Sequence, residues 1–288
     1  MIQGINDDRE VYLNGEFLPL SQAKISVLDR GFIFGDGIYE VVPAYKGKPF
    51  RLDEHVARLM RSLSKIKLET GKTAEDWKAL MKAMIDRSDY ENTFVYLQVT
   101  RGVAKRDHAF PRPAVAPTIF MIASPFDRPS EHYREDGLRT VSMEDVRWLH
   151  CDIKSVSLLG NVLAKEYALE REVDDVIQFR DGYLSEASSA NIWVVKGGKL
   201  LAPVRDNLIL EGIRYGFIEE LAKKVGVPFE ARKISKEEVA QADEIMFTSA
   251  TKEILPITEH DGKAVNGGKP GPVYRQLRQA YDEVIEQL

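Results

Sequence analysis

The chain has 288 residues, with 40 Lys and Arg against 45 Asp and Glu and a formal net charge of -5, so electrostatics give no reason to expect a nucleic acid or an anionic membrane as partner. Hydrophobic residues at 44% and charged residues at 30% exclude a disordered or fibrous chain and leave one long enough for two packed halves. The single cysteine, Cys151, excludes an internal disulfide and a clustered thiolate metal site, and no apolar run is long enough to span a bilayer. The acidic opening MIQGINDDRE is unlike a secretory signal, and the expected setting is the cytoplasm.

In chain order, VYLNGEFLPL reads as a hairpin turning at Asn14-Gly15, and GIYEVVPAYKGKPFRL as a second one turning at Lys46-Gly47. DEHVARLMRSLSKIKL places Val56, Leu59, Met60 and Leu63 at helical spacing, with Asp53 as the expected N-cap. A second helical piece covers 77–85, and TFVYLQVTRG and APTIFMIAS are strand-like. The polar, proline-bearing segment 124–137 is the expected linker between a small domain over 1–123 and a larger one over 138–288. In the second half LRTVSMEDVRWL is strand-like and 158–172 is an apolar-striped helix. Strands then alternate with turns at Asp181-Gly182 and Gly197-Gly198. EGIRYGFIEELAKKVG is a helix ending at Gly226, SKEE at 235–238 is a capping box, and EIMFTSATKEILPI ends a strand in a small polar turn. The pattern predicts an α+β fold in both halves.

Several residues have the makings of a site, and each also has an ordinary reading. Lys154, in CDIKSVSLLGN, sits between apolar runs just before a helix; it is either a snorkelling surface lysine or a desolvated amine able to form a Schiff base with an aldehyde. Glu186 follows a strand and precedes a small-residue stretch, where it is a turn carboxylate or an acid for a ligand's ring nitrogen. Gly212, Ile213 and Arg214 open a helix, a position that favours an anion but is equally a plain turn. The 248–251 turn carries small hydroxylated residues, and Arg58 lies off the apolar stripe of its helix. Arg106 and His108, one residue apart, would point the same way in an extended segment and could share a carboxylate, or could simply tip a charged loop. The other histidines are scattered, and no spacing suggests a metal site.

Taken in order, DRGFIFGDGIYEVV, EHVARL, QVTRGVAKRDHAFP, RWLHCDIKSVSLLGNVLAKEYA, SEASSANIWVV, LEGIRYG and FTSATKEILPI resemble the successive blocks of the fold-type IV pyridoxal-phosphate aminotransferases, from about Val11 to Asp261. RGVAKRDH and CDIKSVSLLGNVLAK look most like the D-amino-acid transaminase branch. The resemblance implies a two-domain homodimer acting on small amino acids and 2-oxo acids, with pyridoxal 5'-phosphate between the domains. It implies Lys154 as the Schiff-base lysine and proton shuttle, with Glu186 on the pyridine nitrogen. Arg58, Gly212 and the N–H groups of Ile213 and Arg214 would hold phosphate, with Ser188, Ser189, Ser249, Ala250 and Thr251 completing the cofactor contacts. Arg106 and His108 match the pair that binds the α-carboxylate in D-specific members.

Three positions depart from the pattern. Phe32 stands where D-specific relatives often carry a tyrosine near the carboxylate, Arg214 where threonine is common, and Ala250 where a hydroxyl is common. Backbone donation survives the last two changes, and side-chain donation does not. The alternative the residues leave open is an L-branched-chain aminotransferase sharing the same cofactor apparatus.

Overall fold

Side chains that alternate along a strand can bury one face only if helices cover it, and the first half of the chain is built on that rule. A computed structural model describes residues 8–288, so the opening Met1–Asp7 lies outside the described residues. The chain divides into two units, 1–126 with 153–157, and 127–152 with 158–288.

The first unit is an antiparallel sheet of six strands, β1 (Glu10–Leu13), β2 (Glu16–Pro19), β3 (Gly37–Tyr45), β4 (Lys48–Pro49), β5 (Asn92–Thr100) and β6 (Thr118–Pro125), in the order β2-β1-β6-β5-β3-β4. Both expected hairpins are present, β1 with β2 and β3 with β4. Ile38 and Val42 of β3 share a core with Val95, Leu97 and Val99 of β5 and with Ile119 and Met121 of β6. Three helices complete this unit: α1 (Arg30–Phe34), α2 (Leu52–Lys65) and α3 (Ala74–Asp86). Val56, Leu59 and Leu63 of α2 and Trp77, Met81 and Met84 of α3 close the core.

Asp53 is not the cap of α2. Arg51 holds the N-cap position in a left-handed conformation, and Asp53 lies inside the first turn, where the helix dipole favours a carboxylate and Lys78 pairs with it at 2.6 Å.

The segment 153–157, expected with the second half, is stitched onto the first sheet. Tyr39 N–H donates to Lys154 O at 2.9 Å, Val156 N–H donates to Gly37 O at 3.1 Å, and Ser155 bridges Ile38. The free edge of β3 at 37–39 leaves backbone groups that must be paired, and this segment pairs them.

The second unit contains α4 (Glu131–Glu135), β7 (Leu138–Glu144), α5 (Leu159–Leu169), β8 (Asp175–Arg180), β9 (Tyr183–Leu184), β10 (Asn191–Lys196), β11 (Lys199–Ala202), α6 (Ile213–Val225), β12 (Phe229–Ala231), α7 (Lys236–Ala240), β13 (Glu244–Ser249), β14 (Glu253–His260), β15 (Lys263–Ala264) and α8 (Pro272–Glu286). The strand order is β12-β11-β10-β13-β14-β7-β8-β9, with β15 on β14. The sheet is mixed, β7 running parallel to both β14 and β8. β10 is buried on both faces: Ile192 and Val194 face one core, while Trp193 packs against Tyr215 of α6 at 4.7 Å between ring centroids.

Two expectations change here, and one helix is new. The segment 124–137 is not a linker throughout: Ser124 and Pro125 belong to β6, and 131–135 form α4. The strand at 138 stops at Glu144, because Asp145 and Arg147 are drawn into an ion network described below. The amphipathic α8, not anticipated from the sequence, covers part of the second sheet with Val273, Tyr274, Leu277 and Tyr281 buried.

Met81 is fully buried in the first core. Met81→Ala is expected to cost about 2–5 kcal/mol of stability, measured by urea denaturation, with the α-helical circular dichroism of the folded state unchanged.

Candidate active site

Glu40 is the charged residue on the core-facing side of β3, between Ile38 and Val42, and it is fully buried. A buried carboxylate needs donors. α2 supplies them from one face: Arg58 Nε donates to Oε1 at 2.7 Å, Arg58 Nη2 donates to Oε2 at 2.8 Å, and His55 Nδ1 lies 2.8 Å from Oε2. Burial raises the carboxyl, but the charge and hydrogen bonds of Arg58, helped by His55, hold it well below the usual carboxylate range. Arg58 is therefore on the inward face of α2, not off its apolar stripe. The polar partner across the interface is what lets an arginine sit among Val56, Leu59 and Leu63.

One turn beyond Arg58, Ser62 Oγ accepts from Lys154 N–H at 3.4 Å, while Lys154 O takes the Tyr39 N–H. The Lys154 backbone is thus held from α2 on one side and β3 on the other. Its side chain is half-buried, with Nζ 4.0 Å from the centre of the Tyr39 ring, which in turn stacks on Tyr96 at 5.8 Å. Tyr39 carried no signal in the sequence beyond being an aromatic residue in a strand.

Arg106 and His108 are brought to one place, though not by a pleat, since 104–110 is irregular. Both meet Phe34: the Arg106 guanidinium carbon lies 5.4 Å from its ring centroid, and the His108 ring lies 5.3 Å away. The loop is fastened by the buried Arg30, which donates to Asp107 O at 2.5 Å and to Ala109 O at 3.3 Å and pairs with Asp36 at 2.8 Å. Phe32 is 70% exposed on α1, and it is Phe34, two residues on, that the pair touches.

In the second unit Glu186 follows β9, where the chain stays bonded to β8: Ser185 N–H donates to Gln178 O, and Gln178 N–H donates to Glu186 O. Its buried carboxylate accepts three hydrogen bonds. Asn191 Nδ2 donates to Oε1 at 3.1 Å, Leu210 N–H to Oε1 at 2.8 Å, and Arg147 Nη1 to Oε2 at 2.7 Å. Burial outweighs these contacts and leaves the Glu186 carboxyl above its ordinary value. Arg147 also grips Asp145 through Nε and Nη2, both at 2.9 Å, and Ser185 Oγ donates to Asp145 at 2.7 Å. Burial raises Asp145 too, yet the Arg147 and Ser185 contacts bring it down to about 2.

Asn191 ties Glu186 to the start of α6. Its Nδ2 also donates to Leu210 O at 2.9 Å, and its Oδ1 packs so close to Gly212 that a methyl group there would collide with it. Gly212 is the N-cap of α6 and brings no side-chain cap, leaving the first N–H groups of a 13-residue helix to other partners. Arg214 is buried and donates from Nη2 to Ala250 O at 2.9 Å, so this departure from the pattern braces the 249–251 turn. Ser249 Oγ accepts from Lys252 N–H, and the Thr248 hydroxyl is taken by Trp193 Nε1 at 2.9 Å. Ser188 is buried, its N–H donating to Asp175 at 3.0 Å and its carbonyl accepting from Asn161 at 2.6 Å, whereas Ser189 is exposed. Among the described residues no group of three or more His, Cys, Asp or Glu is arranged to hold a metal ion, and no helix is long and apolar enough to cross a membrane.

The family model described as amino-transferase class IV matches residues 37–260, which hold most of the groups just placed. The chain is 41% identical over 277 residues to a D-alanine aminotransferase of Staphylococcus aureus, covering 96% of this chain and 98% of that protein. It is 35% identical to one from Bacillus licheniformis, covering 96% and 97%. A crystal structure of the branched-chain amino acid aminotransferase of Escherichia coli is similar with a TM-score of 0.92 at 22% identity, covering 97% of this chain and 95% of that one. The chain belongs to amino-transferase class IV and has its fold-type IV architecture. It is a pyridoxal-phosphate-dependent aminotransferase.

The residues present fit that cofactor on two counts. The N-terminus of α6 is uncapped by any side chain and is approached through a glycine, which suits a phosphate. Of the four lone-pair positions on the Glu186 carboxylate, three accept from Asn191, Leu210 and Arg147, leaving one for a ring N–H.

Removing Glu40 would strand Arg58 and His55 in the core. Glu40→Ala is expected to cost about 3–5 kcal/mol at pH 7 by urea denaturation. Because the folded carboxyl titrates below the unfolded value of 4.5, its contribution is complete above that pH and is lost as the pH falls further. The gap between wild type and variant should therefore narrow under acid.

Proposed function

We propose that this enzyme transfers the amino group of a D-amino acid such as D-alanine to 2-oxoglutarate, giving a 2-oxo acid and D-glutamate, and that it works as a cytoplasmic homodimer. The observation that carries the reading is the 41% identity, over 96% of the chain, to a D-alanine aminotransferase, joined by an arginine and a histidine that both approach the Phe34 ring. Two cationic or hydrogen-bonding groups gathered at one place suit a carboxylate.

When bound, the cofactor supplies an aldehyde that takes up the amino group and a protonated ring that withdraws electrons from the α-carbon. Lys154 Nζ would be the amine that holds that aldehyde, and as a free amine it would take and return the proton of the α-carbon. Its backbone, fixed by Tyr39 and Ser62, restricts the side from which Nζ reaches. Glu186 holds the ring N–H. Arg58, oriented by Glu40, and the N–H groups of Ile213 and Arg214 would hold the phosphate, Gly212 would give it room, and Ser188, Ser189, Ser249, Ala250 and Thr251 would supply the remaining contacts. Arg106 and His108 take the α-carboxylate. With the proton delivered from one fixed side, the side on which they hold the carboxylate sets D against L, and Phe32 leaves that grip to the two of them.

The second subunit is supported by an apolar face. Leu159, Val162, Leu163 and Leu169 recur at helical spacing on the solvent side of α5, all more than half exposed, and Trp148 and Leu149 are exposed in the preceding loop. Such a face is costly in water.

Lys154→Ala is expected to abolish the visible absorbance of the bound cofactor and to lower turnover by about 10⁴-fold or more. In single half-reactions D-alanine should bleach that absorbance faster than L-leucine; the reverse order selects the branched-chain reading. Leu163→Glu should move the mass measured by sedimentation from dimer toward monomer.

A further inference from the structure

Glu186 is held by groups of two kinds. Asn191 and the Leu210 N–H carry no charge, whereas Arg147 does, and Arg147 belongs to a row in which charges alternate. Arg180 Nη2 lies 3.1 Å from Asp145 Oδ1, Asp145 is gripped through both oxygens by Arg147, and Arg147 Nη1 is 2.7 Å from Glu186. The four side chains sum to zero charge. Each is buried or nearly so, with side-chain exposures of 11% for Arg180, 0% for Asp145, 8% for Arg147 and 5% for Glu186.

We infer that Arg147 is a positioning residue for the ring-nitrogen chemistry: it keeps Glu186 ionised and aimed, and so sets whether the ring nitrogen of the bound cofactor keeps its proton. The inference rests on the proposed role of Glu186. Its basis is the fork geometry. Two nitrogens of the guanidinium are committed to Asp145, which fixes the direction of the third, and that third nitrogen is the one on Glu186. The Arg147 N–H closes back onto Asp145 Oδ1 at 3.1 Å, and Arg180 donates to Arg147 O at 2.9 Å, so the backbone beneath the fork is tied as well. α5 makes room for it: a methyl group on Gly160 would come within 3.0 Å of Arg147 Cγ. Lysine in this place could keep the charge but could not bridge both carboxylates in a fixed direction.

Without the guanidinium, two buried carboxylates would remain with no cation shared between them, and Arg180 would serve Asp145 alone. The least costly response is protonation of one of them. Asp145 keeps Arg180 and Ser185, so the proton goes to Glu186. A neutral Glu186 holds a pyridinium proton poorly, and the ring nitrogen then loses it at lower pH. The burial that already lifts the Glu186 carboxyl works in the same direction.

The test is ¹⁵N NMR of the holoenzyme reconstituted with pyridoxal phosphate labelled at the ring nitrogen, titrated between pH 6 and 9. In wild type the signal should stay at the pyridinium position throughout. In Arg147→Gln it should move toward the unprotonated position within that range. In parallel the D-alanine half-reaction should slow about 10- to 100-fold at saturating substrate, the scale on which outer partners of a catalytic group act, with little change in KM. Arg147→Lys should give an intermediate titration, and it carries the test by itself if the glutamine variant does not fold. A titration unchanged from wild type in the variants that fold overturns the inference. Glu186→Gln separates this from failure of the parent reading. If its signal stays at the pyridinium position, Glu186 does not govern the nitrogen and both fall; if it moves while the Arg147 variants do not, only the role of Arg147 falls.

Discussion

A carboxylate removed from water must be given a full set of donors or it will not remain a carboxylate, and both units of this chain are arranged about that demand. In the first, Glu40 interrupts an otherwise apolar strand face and requires Arg58 and His55 on the helix that covers it. In the second, Glu186 requires Arg147, Asn191 and the Leu210 N–H. Once these are in place, much of the rest follows: α2 cannot rotate on β3 without breaking the Arg58 pair, and Asn191 cannot serve Glu186 without drawing the start of α6 alongside. The same bonds that make burial tolerable fix the directions in which Arg58 and Glu186 point.

Much of the architecture could be read from the residues because it obeys local rules. The turns at Asn14-Gly15 and Lys46-Gly47, the capping box at Ser235, and the apolar periods of α2 and α3 depend on neighbours in sequence. Long-range pairing was less accessible. Nothing local marks 153–157 as an edge strand for β3, and nothing in DVR distinguishes Asp145 and Arg147 from surface charge. Glu40 went unread as well, although period-two alternation sets it on the core face between Ile38 and Val42, where a charge calls for a partner on the covering helix. Residue identity at the site was legible through the order of motif blocks. Orientation was not, and so Tyr39, Phe34 and Asn191 entered only with the coordinates.

The departures from the family pattern also change meaning. Arg214 brings a brace to the 249–251 turn where the family pattern has a hydroxyl, its guanidinium reaching the carbonyl of Ala250 from a buried position. Phe32 is less informative than its position suggested, because the aromatic surface that gathers Arg106 and His108 belongs to Phe34.

The short strand at 153–157 has a bearing on how the protein is made. The chain leaves the first unit after Phe126 and returns for Ile153–Ser157 before leaving again. During synthesis the six-stranded sheet can therefore assemble with the 37–39 edge of β3 still open, and that edge waits for a segment translated well after the last strand of the sheet. The lysine arrives on the piece that closes it. Completion of the first unit and placement of Lys154 are thus a single event, so that a nascent sheet offering a finished edge already carries that lysine, and one lacking it still exposes a place for stray strands to bind.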